Sequence, residues 1–154
     1  TLHDWQLQLI SPYGTIVDLI KSQGNGFVLS NTILDDEATT AISDGNDPHF
    51  GSYKPVGSLS DFDEEEMKGT WTLRTFHSSV TSNIGAWSVI IDFDNSTPKD
   101  PPAADPGTEY SGSAFSANED QVGEGTLSIT DSGTIKDVNV KLSTGGNTNL
   151  QDWQ

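Results

Sequence analysis

The 154-residue sequence contains no cysteine and little positive charge. Without cysteine, the chain can form neither a disulfide framework nor a thiolate site, and a bacterial or archaeal source is favoured over a secreted eukaryotic module. Seven Lys and Arg residues stand against 23 Asp and Glu residues, which gives a net charge of −16. The lack of a basic stripe argues against a nucleic-acid partner and against docking on an anionic membrane.

Long apolar runs are also missing. No stretch approaches the about 18 apolar residues of a membrane-spanning helix, so we expect no membrane insertion, and no signal peptide is recognisable. Apolar residues make up 32% of a chain that contains 15 Gly and 7 Pro. Short runs rich in Val, Ile, Thr, Phe and Trp alternate with turn residues, which is typical of an all-β domain with one core.

Period-2 alternation predicts the strands. Trp5, Leu7 and Leu9 alternate with glutamines, Ser11–Gly14 has the composition of a turn, and Thr15–Ile20 returns as the second strand of a hairpin. We predict further strands at 70–78, 86–94, 125–130 and 133–142. Turns are expected at 81–85 and at Asp131-Ser132, a mostly irregular region at 22–69, and a proline-rich linker at 95–110.

One face of each strand should be buried between two sheets. Together these patterns predict an all-β domain in which two sheets pack face to face. The candidate core residues are the apolar residues in phase on these strands: Trp5, Leu7, Leu9, Trp71, Leu73, Trp87, Val89, Ile91, Ile135, Val138 and Val140.

The first residues of the chain recur at its end, since Asp152-Trp153-Gln154 repeats Asp4-Trp5-Gln6. The stretch Asp4–Thr15 resembles the D-L-x-I-x-L-x-S-P-x-G-T strand and turn of the P domain of proprotein convertases, also called the P/homo B domain. Lys68–Leu73 is similar to the N-G-T-W-T-L of that family. Four more stretches resemble its motifs in the same order: Leu34–Ala38, Phe50–Pro55, Gly57–Phe62 and Gly85–Ile91.

One further stretch that resembles the family lies out of order. Gly133–Val140 is similar to the G-x-I-x-D-V-N-V strand with which such a domain begins, yet here it follows the linker. We therefore interpret 1–94 as the C-terminal two-thirds of a P domain and 111–154 as the N-terminal strands of another. The resemblance implies an all-β, jelly-roll-like sandwich of about eight antiparallel strands. The strands of 111–154 are expected to complete this sandwich with 1–94 as in a circular permutant, and a strand-swapped dimer is the alternative.

Adjacent carboxylates suggest a calcium site. Asp35, Asp36 and Glu37 form the best candidate, with Asp47 and Asp4 as further ligands, because Ca²⁺ takes about six to eight oxygen ligands. Some domains of the family bind Ca²⁺, which supports a structural ion. The alternative is an acidic surface loop whose Asp36 caps a short turn before Ala38.

Other acids have simpler interpretations. The run Asp61–Glu66 is interpreted as a solvated charge cluster. Asp4 and Asp137 precede or interrupt strands, so they are expected to accept backbone N–H bonds in turns.

No catalytic pattern is recognisable. His3, His49 and His77 lack metal-ligand spacing, and no nucleophile elbow or nucleotide-binding glycine loop is present. The resemblance implies a non-catalytic accessory domain of a secreted or cell-surface bacterial protein, attached to a serine protease or metalloprotease. Its partners would be the catalytic domain or neighbouring modules of the same polypeptide, with a protein or polysaccharide as substrate.

Three other functions remain open. A carbohydrate- or matrix-binding module would expose aromatic residues, and the candidates are Tyr13, Phe50, Tyr53 and Tyr110. A spacer in an adhesin-like tandem array would use Ca²⁺ only for stiffness. An enzyme would need a concave pocket with converging polar groups.

Overall fold

The computed structural model describes residues 4–23, 28–45, 49–77, 82–94, 107–118 and 120–144. These ranges contain ten strands: β1 Asp4–Ile10, β2 Ile16–Gln23, β3 Leu29–Leu34, β4 His49–Tyr53, β5 Gly69–His77, β6 Ser82–Asp94, β7 Thr108–Gly112, β8 Phe115–Ala117, β9 Val122–Ile129 and β10 Thr134–Thr144. Two short 3₁₀ turns, Ile42–Asp44 and Leu59–Phe62, are the helical segments of this part of the chain.

The strands form two sheets. Sheet 1 has the antiparallel order β2-β1-β5-β9, and sheet 2 has the order β4-β3-β10-β6-β7, with the short β8 also paired to β6. All eleven candidate core residues are buried between the sheets. The predicted all-β sandwich is therefore confirmed, with ten strands where about eight were expected.

The predicted hairpin is also confirmed. Ile10 pairs with Ile16, and the N–H of Ser11 donates to the carbonyl of Thr15 at 2.9 Å across the turn. Gly14 has φ of 86°, a left-handed conformation that glycine adopts without strain. Burial of the first strand follows the alternation, because Trp5, Leu7 and Leu9 are each at most 3% exposed.

Three of the predicted connections are wrong. The region 22–69 contains β3 and β4, which pair in parallel, so it is less irregular than its composition suggested. The residues expected to form a turn at 81–85 are strand from Ser82 on, and β5 and β6 lie in different sheets. The proline-rich linker expected to reach residue 110 ends earlier, since Thr108 begins β7.

Strands from the later part of the chain complete both sheets. β10 lies between β3 and β6 in sheet 2, and β9 pairs with β5 at the edge of sheet 1. Glycines allow close packing there, because a Cβ on Gly125 would lie 2.4 Å from the Phe115 ring. In this structure the strands of 1–94 and those of 108–144 lie together in the two sheets, whereas residues 145–154, which carry the second Asp-Trp-Gln, lie outside the described residues.

Candidate functional site

Acidic side chains gather at one end of sheet 2. Asp137 of β10 pairs with Asp92 of β6 next to an irregularity in the register between Ile135 and Asp137, so the two carboxylates belong to neighbouring strands at the same level of the sheet. On the other side of β10, Val140 pairs with Leu34, so the loop that follows β3 runs past Asp137. The turn after Phe62 adds Asp63. We call Asp35, Asp36, Glu37, Asp63, Asp92 and Asp137 the acidic cluster.

Asp35 shapes the loop after β3. Its N–H donates to the carbonyl of Tyr53 at 2.9 Å, and its Oδ1 accepts the N–H of Glu37, also at 2.9 Å. The carbonyl of Asp35 accepts the N–H of Ala38 at 3.1 Å. This local turn holds Glu37 near Asp35. The charges of both carboxylates interact with that of Asp137, which lies near the start of β10.

Asp36 has a different role from its two neighbours. Its carboxylate accepts the N–H of Leu59 at 3.0 Å and the N–H of Ser60 at 2.8 Å, with the Ser58 hydroxyl at 3.5 Å. The acid therefore caps the 3₁₀ turn Leu59–Phe62. The sequence alternative anticipated a capping role for Asp36, but at a turn before Ala38.

The run Asp61–Glu66 is only partly a solvated cluster. Asp63 Oδ1 is buried and lacks a hydrogen-bond partner within the described residues. Glu66 Oε1 accepts the N–H of Gly133 at 2.8 Å, and Glu65 accepts the hydroxyl of Thr15. Glu64 forms an ion pair with Lys136 at 3.0 Å. The expectation of a solvated run is therefore wrong for Glu65 and Glu66, whose carboxylates accept hydrogen bonds from distant segments of the chain.

The acidic cluster raises the pKa of several of its own members. The pKa of Glu37 rises to about 7, mainly through its hydrogen bond with Asp35, then through burial and the negative charge of Asp137. Burial is the largest cause of the raised pKa of Asp137, followed by the charges of Asp35 and Asp63. Burial, with the charge of Asp36, likewise raises the pKa of Asp63. Each of these carboxylates gains from a proton or a cation placed nearby.

Calcium is the cation whose chemistry fits these donors. It prefers carboxylate and carbonyl oxygens in flexible arrangements, and the acidic cluster offers such oxygens from four segments of the chain. Within the described ranges, no three His, Asp or Glu side chains are already placed as a metal-binding group. Binding would therefore have to draw the carboxylates together.

Sequence reasoning found one part of this cluster. Asp35, Asp36 and Glu37 lie together. Asp4 begins β1 of the other sheet, and the structure does not describe its side chain. Asp47 lies outside the described residues. Asp63, Asp92 and Asp137 were missed. Asp137 was expected to accept backbone bonds in a turn, but it lies within β10 opposite Asp92.

The predicted aromatic candidates do not share one environment. Tyr13 is 67% exposed in the turn between β1 and β2, and Phe50 is 62% exposed on β4. Tyr53 and Tyr110 are packed against the core. His49 and His77 are buried, and His3 lies outside the described residues.

Comparison of the chain with protein-family models, with curated proteins and with solved structures finds no match. Among the described residues, no helix has the length and apolar character needed to cross a bilayer.

Proposed function

We propose that this chain is a non-catalytic, P-type accessory domain of a secreted or cell-surface bacterial protein, with structural Ca²⁺ bound at the acidic cluster. Such a domain stabilises or positions a catalytic domain of the same polypeptide, or engages its substrate. The resemblance of six ordered stretches to P-domain motifs supports the accessory role. The all-β sandwich is compatible with that role but is shared by domains of many functions.

The observation that carries the calcium proposal is the direct pairing of Asp137 with Asp92 beside the loop Asp35–Glu37. Like charges placed opposite each other destabilise a sheet, so a folded protein gains when a divalent cation occupies the space between them. Asp35, Glu37, Asp63, Asp92 and Asp137 are the proposed ligands. Asp36 keeps its capping role and fixes the position of the turn that carries Asp63.

A bound ion would connect separate parts of the sandwich. The proposed ligands come from the loop after β3, the turn after Phe62, and strands β6 and β10. The domain would therefore be stiffened at one end of sheet 2, where the earlier and later parts of the chain meet. Stiffness of this kind suits a domain that supports or spaces its neighbours.

Thermal unfolding in excess CaCl₂ and in EDTA tests the proposal. A ligand that binds only the folded state adds about 2.7 kcal/mol at a hundredfold excess over its Kd. For a domain of this size, that corresponds to a rise of about 5–10 °C in Tm. Matched MgCl₂ controls for ionic strength and should produce a smaller rise, because Mg²⁺ requires stricter octahedral geometry.

The variant Asp137→Asn should lose most of the calcium-dependent rise. Asp120→Asn is the matched control, because Asp120 is exposed, lies outside the acidic cluster, and has φ of 59°, which Asn tolerates. It should keep the full rise. A wild-type Tm that is equal in CaCl₂ and EDTA would contradict the calcium site.

A further inference from the structure

A trough crosses the outer face of sheet 2 above strand β6. Its floor is formed by Ala86 and Ser88, two small residues that alternate with the core residues of β6, and its walls include Lys141 of β10 and Glu109 of β7. The trough encloses about 210 Å³. It arises because small side chains on a central strand are flanked by longer side chains on both neighbouring strands.

The strand register brings the polar groups of the trough together. Ser88 pairs with Lys141 on one side and with Ser111 on the other, so these three side chains share one rung of the outer face. Ser88 is only 3% exposed, and its hydroxyl donates to Glu109 Oε1 at 2.7 Å. This partly buried bond engages one carboxylate oxygen of the exposed Glu109 side chain, and the other oxygen can accept a bond from a ligand.

The charges of the trough define the kind of ligand that fits. One ammonium and one carboxylate are accompanied by serine hydroxyls and the Asn31 amide, so the lining is neutral overall in a chain of net charge −16. Lys141 opposes a cationic ligand, whereas Glu109 and the nearby acidic cluster oppose an anionic one. A neutral ligand whose groups both donate and accept is favoured, and hydroxyl groups have that property.

The size of the trough points to one ring. Its volume of about 210 Å³ lies below the roughly 300–1,000 Å³ of pockets for drug-sized ligands. A pair of neighbouring ring hydroxyls can accept from Lys141 and donate to Glu109, which gives charge-assisted hydrogen bonds. The methyl group of Ala86 offers an apolar surface to ring C–H groups in place of an aromatic platform, because none of the four aromatic candidates lines the trough. We propose that this trough binds a neutral pyranose residue of a glycan, independently of the acidic cluster.

Titration of the ¹⁵N-labelled chain with methyl pyranosides, followed by amide chemical shifts, tests this site. The methyl glycosides of glucose, galactose and mannose serve as probes, because the galactoside and the mannoside each differ from the glucoside in the orientation of one hydroxyl. We expect saturable shifts at the amides of Ser88, Ser111 and Lys141 with at least one probe. The titrations are repeated in EDTA, where they should be unchanged, so failure of the calcium proposal would leave this result intact.

Two variants locate the binding. Lys141→Met removes the ammonium and should weaken binding by about tenfold or more, because a charge-assisted hydrogen bond to the ligand is lost. Ser111→Trp places a large side chain from an exposed position of edge strand β7 into the trough and should abolish binding. Lys21→Met, a change on the exposed part of β2 in sheet 1, is the control and should bind as the wild type does.

Two results would overturn the proposal. The first is an absence of saturable shifts with all three glycosides in a wild-type chain whose spectrum is that of a folded protein. The second is shifts that persist in Ser111→Trp, which would place the binding elsewhere. A parallel titration with glycine tests a zwitterionic ligand, and shifts with glycine alone would also replace the glycan assignment.

Discussion

The outer faces of the two sheets differ in the partners that their charged side chains meet. On sheet 1, Asp18 Oδ1 accepts bonds from the amides of Gln6 at 3.3 Å and Gln8 at 2.8 Å, and Arg74 lies 3.8 Å from Glu124. At the acidic end of sheet 2, Asp137 instead lies opposite Asp92. The same sandwich therefore contains one satisfied polar face and one that keeps carboxylates against each other.

This difference indicates that the acidic end of sheet 2 is not arranged for stability alone. The outer face of sheet 1 needs no ligand at Asp18, whose carboxylate accepts two glutamine amides, and its Arg74 and Glu124 carry opposite charges. Carboxylates whose pKa is raised by burial and by neighbouring negative charges destabilise the folded protein when they are ionised. Such destabilising groups concentrate at binding sites. The comparison can be tested by changing single charges on each face.

The largest effect is expected for Asp36→Ala, which removes the cap of the turn Leu59–Phe62. Loss of the bonds to Leu59 and Ser60 should destabilise the domain by about 2 kcal/mol, because a charged acceptor of backbone N–H groups is lost. Urea unfolding in EDTA measures it. A loss that disappears in EDTA and exists only in CaCl₂ would show instead that Asp36 acts as a metal ligand.

A smaller effect of opposite sign is expected for Asp137→Asn in EDTA. Removing one of two like charges that face each other should stabilise the ion-free domain by about 0.5–1 kcal/mol. Asp18→Asn on sheet 1 is the comparison, and it should not stabilise, because it removes a negative charge that accepts two glutamine amides and faces no like charge in these bonds. Urea midpoints in EDTA give both values, and destabilisation by Asp137→Asn would contradict the repulsion.

The pH dependence of the stability should also reflect the repulsion within the acidic cluster. Since Glu37 has an ordinary pKa of 4.5 and a folded pKa of about 7, the folded state binds more protons between these values. Asp63 and Asp137, whose pKa values are also raised, act in the same direction. Stability in EDTA should therefore fall as pH rises from about 4.5 to 7.

Tm values measured at intervals across this pH range in EDTA test that sign. Glu37→Gln should flatten the slope, whereas Glu124→Gln on sheet 1 should leave it nearly unchanged. Excess CaCl₂ should reduce the slope, because the cation replaces the proton as the compensating charge. A Tm that rises with pH in EDTA would show that the carboxylates are already compensated.

The smallest effect is expected on sheet 1. A double-mutant cycle of Arg74→Met and Glu124→Gln should give a coupling of about 0.5 kcal/mol or less, because both side chains are well exposed and the pair is screened by solvent. Unfolding in urea at low and high salt measures it. A coupling well above 1 kcal/mol would mean that this face also depends on its charges.

The sequence predicted those parts of the fold whose pattern is local. Trp5, Leu7 and Leu9 alternate within one strand, and the turn at Gly14 has its own composition, so the hairpin could be found without knowing its neighbours. Strands β3 and β4 were missed because short strands interrupted by polar residues have weak alternation. The second partner of β3 in the sheet is β10, which follows about a hundred residues later.

The candidate site also has one part that a local sequence pattern reveals and another part that depends on the pairing of distant strands. Asp35, Asp36 and Glu37 are adjacent in sequence, so their charge density was visible at once. The approach of Asp92 and Asp137 depends on a register between strands separated by a long connection, and no local pattern encodes it. The trough was likewise hidden, because Ser88 meets Lys141 and Ser111 only through pairing in sheet 2.

The position of β10 has a consequence for biosynthesis. This strand joins β3 to β6, yet it is the last strand of the described chain to leave the ribosome. At a synthesis rate of about 5–20 residues per second, β3 would wait several seconds for its central partner. During that interval, the unpaired edges of β3 and β6 are open to pairing with other nascent chains, so sheet 2 should assemble late and slowly.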